Sequence, residues 1–241
     1  KKPMDSIIIE VDSKTNRIKI ADTGEGFMDG SKINEKSGLP NIETAVSMLR
    51  AGSNFDNEQI SETLIGTNGM GVSLVNAMSS YFSIESTNSK ESYFQEWNNF
   101  KGSKPVITKK SKNKLGTAVT FSPLPDIFDN CKWSKDILFS MLILKKRVLE
   151  TESNTKTIKI KFVWDGKETE VKTDVLKQLS YKTSIGEILL WEKTEDSGSV
   201  SFVNSAICTG IQQKIIMDQI NGVLDDSLAH HFYDFCLILN L

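Results

Sequence analysis

The sequence predicts an α+β fold of layered strands and helices, and three observations carry that prediction. Strand-like and helix-like segments are mixed without the regular βαβ spacing of a doubly wound parallel sheet. The β-branched runs SIIIEVD (6–12), RIKIAD (17–22) and TAVTFSP (117–123) are short and bounded by turn residues. The longest helical segment, WSKDILFSMLILKKRVLE (133–150), grades from amphipathic to apolar. A chain of 241 residues has room for one large domain or two moderate ones around a substantial core. With 39% hydrophobic and 25% charged residues and a net charge of −2, no global basic excess advertises nucleic acid, so any DNA contact would be local.

In chain order, the runs at 6–12 and 17–22 are joined by SKTN, whose turn chemistry makes them a hairpin. ADTGEGFMDG (21–30) breaks the regularity. NIETAVSMLRAG (41–52) has helical spacing, with Asn41 as N-cap and Gly52 as stop. SNFDNEQISETLIG (53–66) is polar and irregular, of a length usually reserved for function or disorder. GVSLVNAMSSYF (71–82) reads as a helix and FSIEST (82–87) as a strand, and TAVTFSP is a strand ended by a proline. The texture then changes, which sets a boundary near residue 124 and divides the chain into 1–123 and 124–241. The second part begins with the helix at 133–150, followed by KTIKIKFVWDGKE (156–168), a strand entering a D-G turn. GEILLWEK (186–193) and GSVSFVNSAI (198–207) are further strands, residues 211–232 have helical periodicity, and FCLILNL (235–241) is a buried strand by composition.

Several classes are disfavoured. The longest apolar run, ILFSMLIL (137–144), is too short to span a bilayer, and no signal-peptide pattern opens the chain, so no membrane partner is expected. Cys131, Cys208 and Cys236 form no C-x-x-C pair, which argues against a disulfide framework and a zinc site and for a reducing, cytoplasmic compartment. His230 and His231 are adjacent, so on a helix they point to different sides and lack metal spacing. KKSKNK (109–114) reads as a solvated loop, and KKR (145–147) suits a helix C-terminus.

Three short motifs remain. Glycines at 66, 69 and 71 lie around Asn68 and run straight into a helix, a pattern that fits either a turn between helices or backbone lying close to a phosphate. Neither a Walker-type G-x-x-x-x-G-K-[ST] nor a Rossmann G-x-G-x-x-G follows a strand. In ADTGEGF, Asp22 ends a strand ahead of Gly24 and Gly26. Alone this is an ordinary turn, or a carboxylate placed to accept from an exocyclic amine. In KLGTAVTF, Thr117 opens a strand with a hydroxyl that can face a base edge or a water.

Taken in order, DTGEG (22–26), NGMGVS (68–73) and GTAVTF (116–121) resemble the nucleotide-binding motifs of the GHKL ATPases. Within them the likeness is to the type IIA DNA topoisomerases, namely gyrase B subunits and topoisomerase II. Residues 45–86 resemble that family's ATP lid, and YFQEW (93–97), VWDGKE (163–168) and SFVNSAICTG (201–210) fall where it has counterparts. The resemblance implies a GHKL (Bergerat) α/β sandwich over 1–123, and over 124–241 a transducer domain of ribosomal protein S5-like fold. It implies ATP and Mg²⁺ as cofactors, with Asp22 on the adenine amine and Thr117 assisting through water. Gly24 and Gly26 would leave room for the base, and Asn68, Gly69, Met70, Gly71, Val72 and Ser73 would wrap the triphosphate. The family's general-base Glu and Mg²⁺-binding Asn lie on a helix ahead of the first strand and are expected upstream of residue 1, so no catalytic or metal residue is assigned. Implied partners are double-stranded DNA, a second copy of the chain on ATP binding, and a DNA-cleaving domain or subunit, in the nucleoid or nucleus. A MutL-like repair ATPase and a non-hydrolysing interaction module of the same fold are the alternatives.

Overall fold

The computed structural model describes residues 4–49, 70–109, 114–152 and 158–173, together with the backbone of strands at 179–183, 186–192, 200–203, 206–207 and 233–239. These residues fall into two compact units, 1–142 with 157–171, and 143–156 with 172–241.

The first unit is built on one sheet. Strands β1 (Ser6–Asp12) and β2 (Arg17–Asp22) form the expected hairpin. Asp12 closes its turn by accepting the amides of Lys14 and Thr15 at 3.0 and 3.2 Å. Strand β3 (Ser79–Thr87) pairs with β4 (Glu91–Asn98), and the edge carries two short pieces, β5 (Lys101–Gly102) and β6 (Val106–Lys109). Strand β7 (Gly116–Pro123) lies between β3 and β2. Beyond β1 come β8 (Lys159–Trp164), parallel to it, and β9 (Lys167–Glu170), so the order is β5-β4-β3-β7-β2-β1-β8-β9. The β8–β9 connection is the predicted D-G turn, with Asp165 and Gly166 at φ 47° and 81°.

Because side chains alternate along a strand, register assigns each residue to a face. Trp97, Phe82, Phe121, Ile18 and Val11 lie in one cross-strand row, and Gln95, Ile84, Val119, Ile20 and Ile9 in the next. Helices α1 (Asn41–Ser47) and α2 (Gly71–Ala77) cover this face. Ile42 and Val46 from α1 and Val75 from α2 pack with Phe82, Ile84, Tyr93 and Trp97. Asn76 of α2, itself buried, donates from Nδ2 to the Val46 carbonyl at 2.9 Å and ties the helices together. The opposite face carries Glu10, Lys19, Thr120, Ser83 and Glu96 in its corresponding row. Helices packed on the apolar rows of one sheet make the expected α/β sandwich.

Several expectations shift. Helix α1 ends at Ser47 rather than at Gly52, because Met48 is extended with its amide bonded back to the Thr44 carbonyl. Asn41 is the first helical residue, not the N-cap, and its side-chain amide donates to the Asp29 carbonyl at 3.0 Å. Helix α2 stops at Ala77, because β3 already starts at Ser79, which pairs with Pro123. A short helix α3 (Pro125–Phe128) precedes α4 (Lys135–Glu152). Strand β8 pairs with β1 from Ser6 to Val11, which puts the β8–β9 hairpin in the first unit's sheet, and residues 124–142 also fall in that unit.

In the second unit, β10 (Leu179–Thr183), β11 (Gly186–Glu192), β12 (Val200–Val203), β13 (Ala206–Ile207) and β14 (Tyr233–Leu239) form a sheet in the order β10-β11-β14-β12-β13. The predicted strand at 198–207 is a β12–β13 hairpin. The predicted helix at 211–232, with His230 and His231, Cys208, and most of KKSKNK lie outside the described residues. No described helix is long and apolar enough to cross a membrane.

Candidate nucleotide site

Following the inner face of the sheet past its apolar rows leads to a polar one. Two residues beyond Ile20, Val119 and Ile84 stand Asp22, Thr117 and Ser86, on the same face by the period of two. Thr117 pairs with Ser86 in the register and their hydroxyl oxygens are 3.2 Å apart. Asp22 follows Ala21, which pairs with Ala118, so its carboxylate extends the same row next to Thr117. Tyr93 completes the row beyond Ser86, fully buried, its hydroxyl donating to Gln95 Oε1. Burial, reinforced by the negative charge of Glu43, lifts the Tyr93 hydroxyl well above the ordinary phenol range and keeps it neutral.

The loop after Asp22 is held by the end of β3. The Gly24 amide donates to Asp22 Oδ1 at 2.7 Å, which holds the carboxylate and leaves Oδ2 as a further acceptor. Gly26 has φ +73°, and a Cβ there would sit 2.1 Å from the Thr87 carbonyl oxygen, so only glycine allows the close approach. The Phe27 amide donates to Ser86 Oγ at 2.8 Å, and Asn88 Nδ2 donates to the Phe27 carbonyl at 2.7 Å. Farther along, Glu91 accepts from both the amide and the hydroxyl of Ser31, at 3.1 and 2.6 Å. At the start of β7, Gly116 has φ +142°, with a hypothetical Cβ 2.1 Å from the carbonyl oxygen of Asp22.

Met70 precedes α2, and Gly71, Val72 and Ser73 form its first turn, whose amides have no partner within the helix. The Ser73 hydroxyl bonds to the Met70 carbonyl at 3.0 Å. Gly71 has neither positive φ nor crowding, since a Cβ there would meet nothing within 4 Å, so the described fold does not itself demand glycine at this position. Of the residues expected at the site, Asp22, Gly24, Gly26 and Thr117 come together, and Met70, Gly71, Val72 and Ser73 lie at the start of α2. Asn68 and Gly69, and the lid-like segment 53–66, lie outside the described residues.

Sequence reasoning missed two features. Ser86 enters the polar row only through the β3–β7 pairing. Ile20, flanked in its row by Ile9 and Val119, is 42% exposed although it stands inside the sheet, giving an aliphatic surface beside the Asp22 carboxylate. Among the described residues no cluster of three or more His, Cys, Asp or Glu side chains is disposed to hold a metal ion.

No protein-family profile matches the sequence. Individual relatives do. The chain is 31% identical over 221 residues to the B subunit of DNA topoisomerase 4 from Enterococcus faecalis, an alignment covering 90% of this chain and 30% of that protein. It is 31% identical over 175 residues to DNA topoisomerase 2 of Arabidopsis thaliana, covering 70% of this chain and 11% of that one. The chain thus spans less than a third of the length of these relatives. Its fold matches the crystal structure of the ATPase region of Saccharomyces cerevisiae topoisomerase II with a TM-score of 0.69 at 22% identity, over 98% of this chain and 67% of that one. The ATPase and transducer domains of topoisomerase II from Balamuthia mandrillaris match with a TM-score of 0.66 at 18% identity, over 98% of this chain and 67% of that one. The chain belongs to the family of DNA gyrase B subunits and topoisomerases II and IV, and its fold is that of the topoisomerase II ATPase region, GHKL sandwich and transducer together.

Proposed function

We propose that this chain binds ATP through its first unit and is the nucleotide-operated part of a type IIA DNA topoisomerase. The observation that carries the reading is the polar row of Asp22, Thr117 and Ser86 beside the exposed Ile20. A purine ring needs an apolar surface and a few fixed polar groups at its edge, and this row supplies that combination. Asp22 Oδ2 accepts from the adenine amine, and Thr117 serves the neighbouring ring nitrogen, directly or through one water. Gly24 and Gly26 keep the loop low enough for the base to lie against Ile20. Met70, Gly71, Val72 and Ser73, with Asn68 and Gly69 ahead of them, present backbone amides to the phosphates. Mg²⁺ would accompany the triphosphate and neutralise part of its charge.

In the whole protein, nucleotide binding would close a homodimer and hydrolysis would reopen it. The second unit would act as transducer to a DNA-cleaving domain or subunit, so that double-stranded DNA is passed through, in the nucleoid or nucleus. Titration of the purified chain with a non-hydrolysable ATP analogue tests the core of this reading. Saturable binding, weakened in Asp22→Asn, supports it; no binding by the correctly folded chain overturns it.

A further inference from the structure

We propose that Ser86 is a positioning residue that sets the direction of the Thr117 hydroxyl proton and thereby favours adenine over guanine-type bases. This rests on the nucleotide reading above. Ser86 is 3% exposed and its hydroxyl has two partners, the Phe27 amide at 2.8 Å and Thr117 Oγ1 at 3.2 Å. The Phe27 amide can only donate, so it occupies a lone pair of Ser86 Oγ. Either hydroxyl can donate in the Ser86–Thr117 contact, and the direction in which Ser86 donates is the one that gives its buried proton Thr117 Oγ1 as partner. With one lone pair of Thr117 filled in this way, the Thr117 proton is free to point out of the row.

The consequence is a fixed pattern at the site: an acceptor at Asp22 Oδ2 and, next to it, a donor at Thr117. The adenine edge presents the complement, a donating amine beside an accepting ring nitrogen. Guanine and hypoxanthine present the reverse, an accepting oxygen beside a donating N–H. One water between Thr117 and the base keeps the polarity, because the water donates onward what it accepts. The anchor of the chain is backbone. Gly26 lies against the Thr87 carbonyl and Asn88 grips the Phe27 carbonyl at 2.7 Å, so the Phe27 amide stays on Ser86.

The test compares affinities of non-hydrolysable ATP and inosine triphosphate analogues for the wild-type chain, Ser86→Ala, Ser86→Cys, Ser86→Thr, Thr117→Val and the double variant Ser86→Ala/Thr117→Val. Ser86→Ala is expected to weaken the ATP analogue about five- to tenfold, the worth of one hydrogen bond, while the inosine analogue changes little. Ser86→Cys, which nearly keeps the volume but is a poor hydrogen-bond partner, should behave like Ser86→Ala, and Ser86→Thr should hold the wild-type preference. The double variant should lose no more than Thr117→Val alone, since both removals break one chain of bonds. Additive losses, an unchanged preference in folded Ser86→Ala or Ser86→Cys, or equal losses for both analogues would overturn the assignment. If the folded wild-type chain binds neither analogue, the nucleotide reading itself fails, a result distinct from all of these.

Discussion

Replacing Gly116 by alanine tests the geometry on which Asp22 depends. Gly116 sits at φ +142°, and the new Cβ would lie 2.1 Å from the Asp22 carbonyl oxygen, where contacts below 3.0 Å are essentially never seen. The start of β7 and the end of β2 must therefore separate by close to 1 Å, at the rung next to the polar row. Holding a side-chain-bearing residue in so sparsely populated a region costs of order 1–3 kcal/mol. Forcing atoms into a packed site typically adds about 1–3 kcal/mol. Together they remove about 2–6 kcal/mol from a unit whose whole stability is of order 5–15 kcal/mol. Gly166→Ala is the control: its φ is +81°, but a Cβ meets nothing within 4 Å, so the backbone term stands alone at roughly 1–2 kcal/mol. Urea unfolding followed by tryptophan fluorescence reads the difference, because three of the four tryptophans, Trp97, Trp133 and Trp164, lie in the first unit. With a slope of about 2 kcal/mol/M, Gly116→Ala should unfold about 1–3 M earlier. At sub-denaturing urea it should also bind the ATP analogue more weakly, whereas Gly166→Ala should bind it normally. Equal midpoints for the two variants, or an unaltered affinity in Gly116→Ala, would refute the coupling between this strand crossing and the site.

Asp22→Asn should weaken the ATP analogue by about 1.5–3 kcal/mol, the worth of a hydrogen bond to a charged acceptor, with little change in unfolding midpoint; calorimetry measures it. Asn76→Ala should lower stability by about 1–3 kcal/mol, because it strips the partner from the buried Val46 carbonyl; denaturant unfolding checks it. Asp165 accepts from the amide and hydroxyl of Ser13 at 2.8 and 2.7 Å, and these bonds, the amide's first, hold its carboxyl below the ordinary value of 3.8. A lowered folded-state pKa contributes stability above 3.8 that is lost as pH falls through the folded value. Wild type should therefore lose more stability than Asp165→Asn on acidification below 3.8, measured by thermal unfolding across that range, and parallel curves would exclude the contribution.

How much of the fold was legible depended on whether the deciding contact is local. The β1–β2 hairpin and the Asp165-Gly166 turn were readable because β-branched runs meet at residues that favour turns. The place of residues 159–170 was not. They read as part of a second domain because they follow a long helix. Only the parallel pairing of β8 with β1, between residues about 150 positions apart, returns them to the first sheet. Periodicity reports a strand and says nothing about its neighbour. The same limit explains α1: apolar spacing continues past Ser47, but the Met48 backbone turns extended, and spacing alone cannot signal that change. Strands β5 and β6 escaped notice for another reason, since they are short, lysine-bearing and exposed at a sheet edge, where no face must be apolar.

The site divides along the same line. Asp22, Gly24, Gly26 and Thr117 were legible as motif residues, and the structure adds why two of the glycines in this region are required. Gly26 and Gly116 have positive φ and lie against the carbonyls of Thr87 and Asp22. Gly71 is the contrast. The described fold places no demand for glycine there, and the described contacts give no reason for it. Ser86 was illegible as a site residue because a serine in a strand signals nothing by itself. It acquires a role from the order β3-β7-β2, which sets its hydroxyl on Thr117 and Thr117 beside Asp22. The apolar rows bring helices onto this face of the sheet. Where those rows give way to hydroxyls and a carboxylate, beside an isoleucine left open, the face changes from one that packs protein to one suited to pack a base.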